Sequence, residues 1–173
     1  MRKLANVFWK IIFWNKPVEY ARRRGVKIGR GSHFVGHQKL GSEPYLITIG
    51  KRTNVSFDCC FVTHDGGRWV LDRLYPEDKP FAKFGRIVIG DNCFIGCRSI
   101  ILPNVCIGDN CIIGGGSVVT KNVPSGEVWA GVPAHFICKI EEYRDRMKAK
   151  KHDIDWKAYW QNKEKELLRV LEN

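Results

Sequence analysis

From Ile89 onward an aliphatic residue recurs at every sixth position, as Ile89, Ile95, Ile101, Ile107, Ile113 and Val119. Glycine follows most of them directly, at Gly90, Gly96, Gly108 and Gly114. Four places after each stands a small or β-branched residue: Cys93, Ser99, Val105, Cys111, Ser117 and Val123. The same pattern begins at Ile28, Gly29 and Ser32 and resumes at Ile49, Val55 and Phe61, with Thr53 and Cys59. A slip of three residues at Gly41, Ser42 and Glu43 separates these two early blocks. A period of six is neither the roughly 3.6 of a helix nor the 2 of a single strand. It fits a short strand and a turn, three times per coil. The aliphatic residue points into a triangular prism, the glycine permits the turn, and the small residue fills the corner. Eighteen residues then close a coil, which predicts Ile89 under Ile107, Cys93 under Cys111, Ser99 under Ser117 and Val105 under Val123. Strands stacked about 4.8 Å apart favour like upon like, because each rung fills the same slot. The predicted fold is mainly β, a parallel β-helix over residues 26–138.

The repeat stops between residues 63 and 87, and a loop over about residues 65–86 intervenes. Insertions of this length in compact domains carry function or are disordered. Trp69, Tyr75, Phe81 and Phe84 make this one too aromatic for simple disorder. His64 stands where the strand gives way to the loop, and imidazole suits the removal of a hydroxyl proton near neutral pH. His33 and His37 in the first coil, His135 after the last and His152 in a Lys-rich tail compete weakly. Asp58, one turn earlier, reads either as an acceptor contact or as a turn-stabilising residue. Asp65 would point away from its neighbour His64 on a strand, so shaping the loop suits it better than orienting the imidazole. Trp69 and the other loop aromatics can pack on sugar C–H faces or cover a neighbouring prism.

The end of the repeat is the most specific stretch. It runs through Gly114, Gly115, Gly116, Thr120, Lys121 and Pro124 to Trp129, Gly131, Pro133 and Ala134. Together with the hexads and the run Thr63, His64, Asp65, Gly66, it resembles the hexapeptide-repeat acyltransferase family over residues 26–140, about two thirds of the chain. The His64 segment is most similar to the sugar and streptogramin-type antibiotic O-acetyltransferases. The resemblance implies a left-handed coil, an exception to the usual crossover rule, and a homotrimer with active sites between neighbouring prisms. It implies acetyl-CoA as donor, His64 as catalytic base, and coenzyme contacts at Cys97, Gly115, Thr120, Lys121, His135 and Lys139. Gly115 would offer backbone N–H groups to the pantetheine arm or the thioester oxygen. Relatives often carry Arg or Lys after Val-Pro-Ala and again three residues on; here those places hold His135 and Cys138, with Lys139 next. The phosphate grip then falls to Lys121, Lys139 and His135.

The predicted activity is direct acetyl transfer to a hydroxyl of a sugar or bacterial surface polysaccharide, or of its lipid-linked precursor. The alternatives are an antibiotic or other small-molecule acceptor, a zinc hydratase and a non-catalytic scaffold. The serine enzymes of the family carry a long helical N-terminal domain that is missing here, and a zinc site needs three His, whereas only His64 lies in the middle coils. No metal is expected.

Composition adds a partner class. In 173 residues, 29 Lys and Arg stand against 18 Asp and Glu, a net charge of +11. That suggests a phosphorylated cofactor, an anionic lipid surface or nucleic acid, and no nucleic-acid motif supports the last. Seven Cys with no CxxC and no secretory signal point to free thiols in a reducing cytoplasm. Stacked Cys93 and Cys111, like Cys59, read as buried corner fillers rather than a metal pair. Residues 1–25 read as helical, with Leu4, Val7, Phe8, Ile11 and Ile12 at helical spacing and a basic last turn before Gly25. This segment either caps the prism or, through residues 2–14, lies on the inner face of the membrane; it is too short to span one. Residues 139–173 form a charged helical extension, with Asp153 or Asp155 capping its second helix.

Overall fold

The computed structural model describes residues 15–78 and 81–172. Two compact units divide between Ile140 and Glu141. In the first, strands of two or three residues wind through three faces. One face holds β1 (Lys27–Ile28), β3 (Ile47–Ile49), β6 (Ile87–Ile89) and β9 (Cys106–Ile107). The next holds β2 (His33–Phe34), β4 (Asn54–Val55), β7 (Phe94–Ile95) and β10 (Ile112–Ile113), and the third β5 (Cys60–Phe61), β8 (Ile100–Ile101) and β11 (Val118–Val119). These strands pair in parallel, so inward residues form columns: Ile28, Ile49, Ile89, Ile107 on one face and Phe34, Val55, Ile95, Ile113 on the next. Phe61, Ile101 and Val119 complete the third. From Phe34 and Ile49 onward these side chains are almost wholly buried and make up the core.

The corners explain the other sequence positions. Between the first and second faces, Gly31, Arg52, Asn92, Asn110 and Gly126 take φ of 52° to 77°, the left-handed region that favours glycine and asparagine. Each of the last four donates its N–H to the carbonyl of the coil before, as Asn92 does to Lys51 and Asn110 to Asp91. The small corner residues carry donors for a reason. Thr53 Oγ1 donates to Gly90 O at 2.9 Å, Cys93 Sγ to Gly108 O at 3.0 Å, Ser99 Oγ to Gly96 O at 2.8 Å and Cys111 Sγ to Pro124 O at 3.1 Å. They satisfy turn carbonyls that would otherwise be stranded indoors. Burial pushes the Cys59 thiol up to about 11, in keeping with an inert packing role.

Every departure from the six-residue spacing falls at the third corner. The step there is nine residues from Leu40 to Ile49, twenty-eight from Phe61 to Ile89, six from Ile101 to Ile107 and four from Val119 to Val123. The last value corrects the predicted register. Val123 pairs with Ile107, not with Val105, because the corner at Thr120 is two residues short. Val123 therefore fills the aliphatic slot rather than the small one.

The prism does not end as the repeat suggests. β12 (Glu127–Gly131) adds in parallel to β10, but β13 (Ala134–Lys139) turns back antiparallel to it. Lys139 Nζ reaches Glu127 Oε1 at 2.6 Å across this hairpin, and Trp129 Nε1 donates to the same carboxylate at 2.8 Å. At the other end, α1 (Pro17–Arg23) buries Tyr20 and Ala21 and returns to the first coil through Val26 N–H to Ala21 O at 3.1 Å. The expected membrane contact of residues 2–14 lies outside the described residues.

The second unit contains most of α3 (Ile140–Ala149), with α4 (Trp156–Gln161) and α5 (Lys163–Leu171). Of the two predicted caps, Asp155 is the one used, accepting from Lys157 and Ala158 N–H. Asn162 then breaks the expected single helix and caps α5. Glu166 is drawn down to about 2 by Arg169 and by the Asp155 N–H.

Candidate active site

The irregular third corner carries a cleft of about 450 Å³ lined by Val62, His64, Asp65, Gly66, Lys83, Leu102, Pro103, Asn104 and Thr120. Its floor is the prism itself, since Val62 N–H donates to Ile101 O and Leu102 N–H to Val119 O. The long insertion is rooted here. Gly85 N–H donates to Thr63 O at 2.8 Å, Asp65 N–H to Lys83 O at 3.0 Å, and His64 bridges Phe84 antiparallel. Gly85 is compulsory at this root: a Cβ on it would lie 2.5 Å from the Asn104 nitrogen. Beyond the root the loop forms α2 (Arg68–Leu74), with no buried residue.

His64 is not alone. Glu43, from the shorter insertion one coil earlier, accepts from Thr63 Oγ1 at 2.7 Å and from His64 Nδ1 at 2.9 Å through the same oxygen, Oε2. A carboxylate can only accept, so Nδ1 carries the proton and the neutral ring keeps its lone pair on Nε2. The Glu43 side chain is 15% exposed against 43% for His64, so the orienting group is screened while the imidazole meets solvent. Partial burial works to raise the Glu43 carboxyl, but hydrogen bonds from Thr63, Ser42 and His64 outweigh it and hold the group below its ordinary 4.5. The Phe84 ring flanks the imidazole at 5.9 Å between centroids.

The other expected site residues fall into separate groups. Thr120 lines the same cleft as His64 and Asp65, and Lys121 follows it, exposed. Asp65 Oδ1 accepts from Gly67 N–H at 2.8 Å, closing a turn at the start of α2. Asp58 is not beside His64. It occupies the second corner at φ 58°, in one column with Arg98 and Gly116. Cys97 and Gly115 meet on that same corner, where a Cβ on Gly115 would lie 3.2 Å from Cys97 Sγ. Trp69 projects from α2, 70% exposed, with the Arg73 guanidinium 4.2 Å over its ring. His135 and Lys139 stand on β13, with Lys139 bound to Glu127. Glu43 is the site residue that the hydrophobic pattern does not reveal. The three-residue slip is its signal, an insertion on the edge where the long loop also begins.

The family described as "Bacterial transferase hexapeptide (six repeats)" matches residues 86–121. Protein CapG of Staphylococcus aureus is 43% identical over 146 residues, covering 83% of this chain and 83% of that protein. The chain belongs to the hexapeptide-repeat acyltransferase family. Solved hexapeptide-repeat structures share its fold. A maltose O-acetyltransferase from Clostridium difficile 630 superposes with a TM-score of 0.55 at 23% identity, over 79% of this chain and 84% of that one. AntD, an N-acyltransferase from Bacillus cereus in complex with dTDP and 3-hydroxybutyryl-CoA, gives 0.52 at 23% identity, over 72% and 70%. Among its described residues, no three His, Cys, Asp or Glu side chains gather as a metal site.

Proposed function

We propose that this protein transfers an acetyl group from acetyl-CoA to a hydroxyl of a sugar or surface polysaccharide, directly, with His64 as general base. The observation that carries the reading is the Glu43–His64 pair at 2.9 Å, at the edge where the repeat is broken. The prism is left-handed in this reading, as family membership suggests, and the working unit is a homotrimer. The residues suit a thioester on a pantetheine arm. Gly115 and Gly116 leave a side-chain-free strip of corner beside the half-exposed Cys97, with open space where a Gly116 Cβ would stand. Lys121 supplies an exposed ammonium for a coenzyme phosphate, with His135 nearby in sequence and Lys139 shared with Glu127. The AntD complex, which contains an acyl-CoA, agrees with this donor class.

Acetyl-CoA, when bound, brings an activated acyl carbon and a thiolate leaving group. His64 Nε2 takes the proton of the acceptor hydroxyl as its oxygen bonds to that carbon. Glu43 holds the ring by Nδ1–H and stabilises the imidazolium. His64 returns the proton to the departing sulfur as the C–S bond breaks, leaving the ester and free CoA. Thr120, in the cleft lining with His64, is a coenzyme contact in this reading, and Asp58, Asp65 and Trp69 are the acceptor contacts to test.

An acceptor screen with labelled acetyl-CoA tests this reading. Transfer to saccharides is expected from the native chain, and His64→Ala is expected to lose about 10²–10⁴ in kcat while melting at the native temperature. A His64→Ala protein with a tenth or more of native turnover contradicts the base.

A further inference from the structure

Thr63 carries a buried hydroxyl that the repeat does not require. Two places after the paired Phe61, Ile101 and Val119 stand Thr63, Pro103 and Lys121 on successive coils. Pro103 is half-buried and Lys121 exposed, whereas Thr63 is only 1% exposed. A hydroxyl taken out of water costs stability unless its hydrogen bond is made. The hydroxyls and thiols of the regular corners make theirs to turn carbonyls. Thr63 Oγ1 instead donates to a side chain, Glu43 Oε2, at 2.7 Å.

That distance is typical of a hydroxyl bonded to an ionised carboxylate. The same oxygen accepts from His64 Nδ1 at 2.9 Å, so two donors together define where Oε2 stands. Of the two, the threonine is the fixed point. Its branched side chain is stiff at χ1 and packed in the prism wall, while His64 is partly exposed and Glu43 has several torsions to lose. Its backbone is anchored too, since Thr63 O accepts Gly85 N–H at 2.8 Å at the root of the long loop. The short insertion passes over it, where a Cβ on Gly41 would lie 3.5 Å from Thr63 Oγ1. One residue thus fastens both insertions. Against the burial that raises the Glu43 carboxyl, the Thr63 hydroxyl leads the hydrogen bonds that hold it below 4.5. Ser42 also bonds this carboxylate but is exposed, so water can stand in for it.

We propose, resting on the reading of His64 as base, that Thr63 is a positioning residue for the transfer, fixing the Glu43 oxygen that orients the imidazole. Thr63→Val keeps nearly the same shape without the hydroxyl, and Thr63→Ser keeps the hydroxyl. Nitrogen NMR of protein labelled at histidine, with His64→Ala identifying the His64 signals, is expected to show the Nδ1–H tautomer in the native chain and in Thr63→Ser. Thr63→Val should show a mixture of tautomers. With a saccharide that the native chain acetylates, Thr63→Val should lower kcat about ten-fold or more, the worth of a hydrogen bond to a charged group. KM should hold, since Thr63 stands outside the cleft lining. In a Glu43→Gln background the same change should cost little more, because Thr63 acts through Glu43. Thr63→Ala carries the same test where Thr63→Val melts too low to assay. The native tautomer in Thr63→Val, equal kcat loss in Thr63→Ser and Thr63→Val, or full additivity with Glu43→Gln would overturn the proposal. The spectra need no acceptor, so a failure of His64 as base, read from an active His64→Ala, is told apart from a failure of Thr63.

Discussion

Glu43 Oε2 lies 2.9 Å from His64 Nδ1, joining two insertions that leave the prism at the same corner on successive coils. The short insertion supplies the carboxylate and the long one begins at the imidazole. A solenoid whose inward residues repeat cannot vary its faces without opening voids, so variation collects where the chain turns outside. The site is built from those variations.

The Glu43 contact gives the first prediction. Glu43→Gln keeps the side chain's shape but removes the anion, and its amide can donate to Nδ1 and favour the wrong tautomer. Loss of kcat should be about 10²-fold or more, with about 10⁴-fold as the ceiling known for His–carboxylate pairs. KM for both substrates should hold, since Glu43 faces the ring rather than the cleft lining. Steady-state kinetics decide: a KM change at constant kcat means that Glu43 binds substrate and does not orient His64.

How much of this is legible in the sequence can be followed position by position. Ile95 under Ile113 and Ser99 under Ser117 are plain, because one buried slot and one stranded carbonyl repeat on each coil. Asp58 can be placed by its phase: it stands three places after Val55, as Arg98 does after Ile95, and so belongs to the second corner, one turn before His64. Val123 misleads because a shortened corner happens to put a valine where the small-residue slot is due. Glu43 cannot be found by spacing, since its partner is twenty-one residues away and the slip looks like lost register. The β12–β13 hairpin is hidden because antiparallel pairing leaves no hexad.

The root of the long loop can be tested with two glycines. Gly85→Ala would thrust a Cβ to 2.5 Å from the Asn104 backbone nitrogen, whereas a Cβ on Gly66 meets nothing within 4 Å. Neither φ lies in the left-handed region. Gly85→Ala should destabilise by about 1–3 kcal/mol and lower kcat by moving the His64 strand. Gly66→Ala should stay within about 0.5 kcal/mol of native. Thermal melts of the two variants, with activity assays alongside, make the comparison; equal Tm values would show that the root is soft.

Acid should loosen the terminal hairpin. Hydrogen bonds from Lys139 and then Trp129 outweigh burial and hold Glu127 below its ordinary 4.5. Its folded pKa is therefore the lower one, and the folded state is favoured while the carboxyl is ionised. That contribution is complete above the unfolded value near 4.5 and is lost as pH falls through the lower folded value. Glu127→Gln should melt lower than native at neutral pH, and the gap should narrow as both are titrated towards about pH 3. A gap that stays constant over that range would rule out the ionised pair as the cause.

His64 and Gly115 stand on different edges of one prism, His64 in the third-corner cleft and Gly115 on the second corner beside Cys97. If both serve one donor molecule, they must come from neighbouring copies in a closed ring, each interface pairing one chain's third corner with the next chain's second. Gly115→Trp fills the bare corner, and His64→Ala removes the base, so each variant alone should be nearly inactive. Mixed in equal amounts and allowed to exchange subunits, they should regain activity. A productive interface needs an intact His64 from one chain and an intact Gly115 from its neighbour, and random mixing supplies that combination at about a quarter of the interfaces. Recovery to about a quarter of native turnover is therefore expected, with size-exclusion chromatography reporting the hybrid assembly. If hybrids form and activity stays at the level of the parents, the two residues work within one chain and the shared site is wrong.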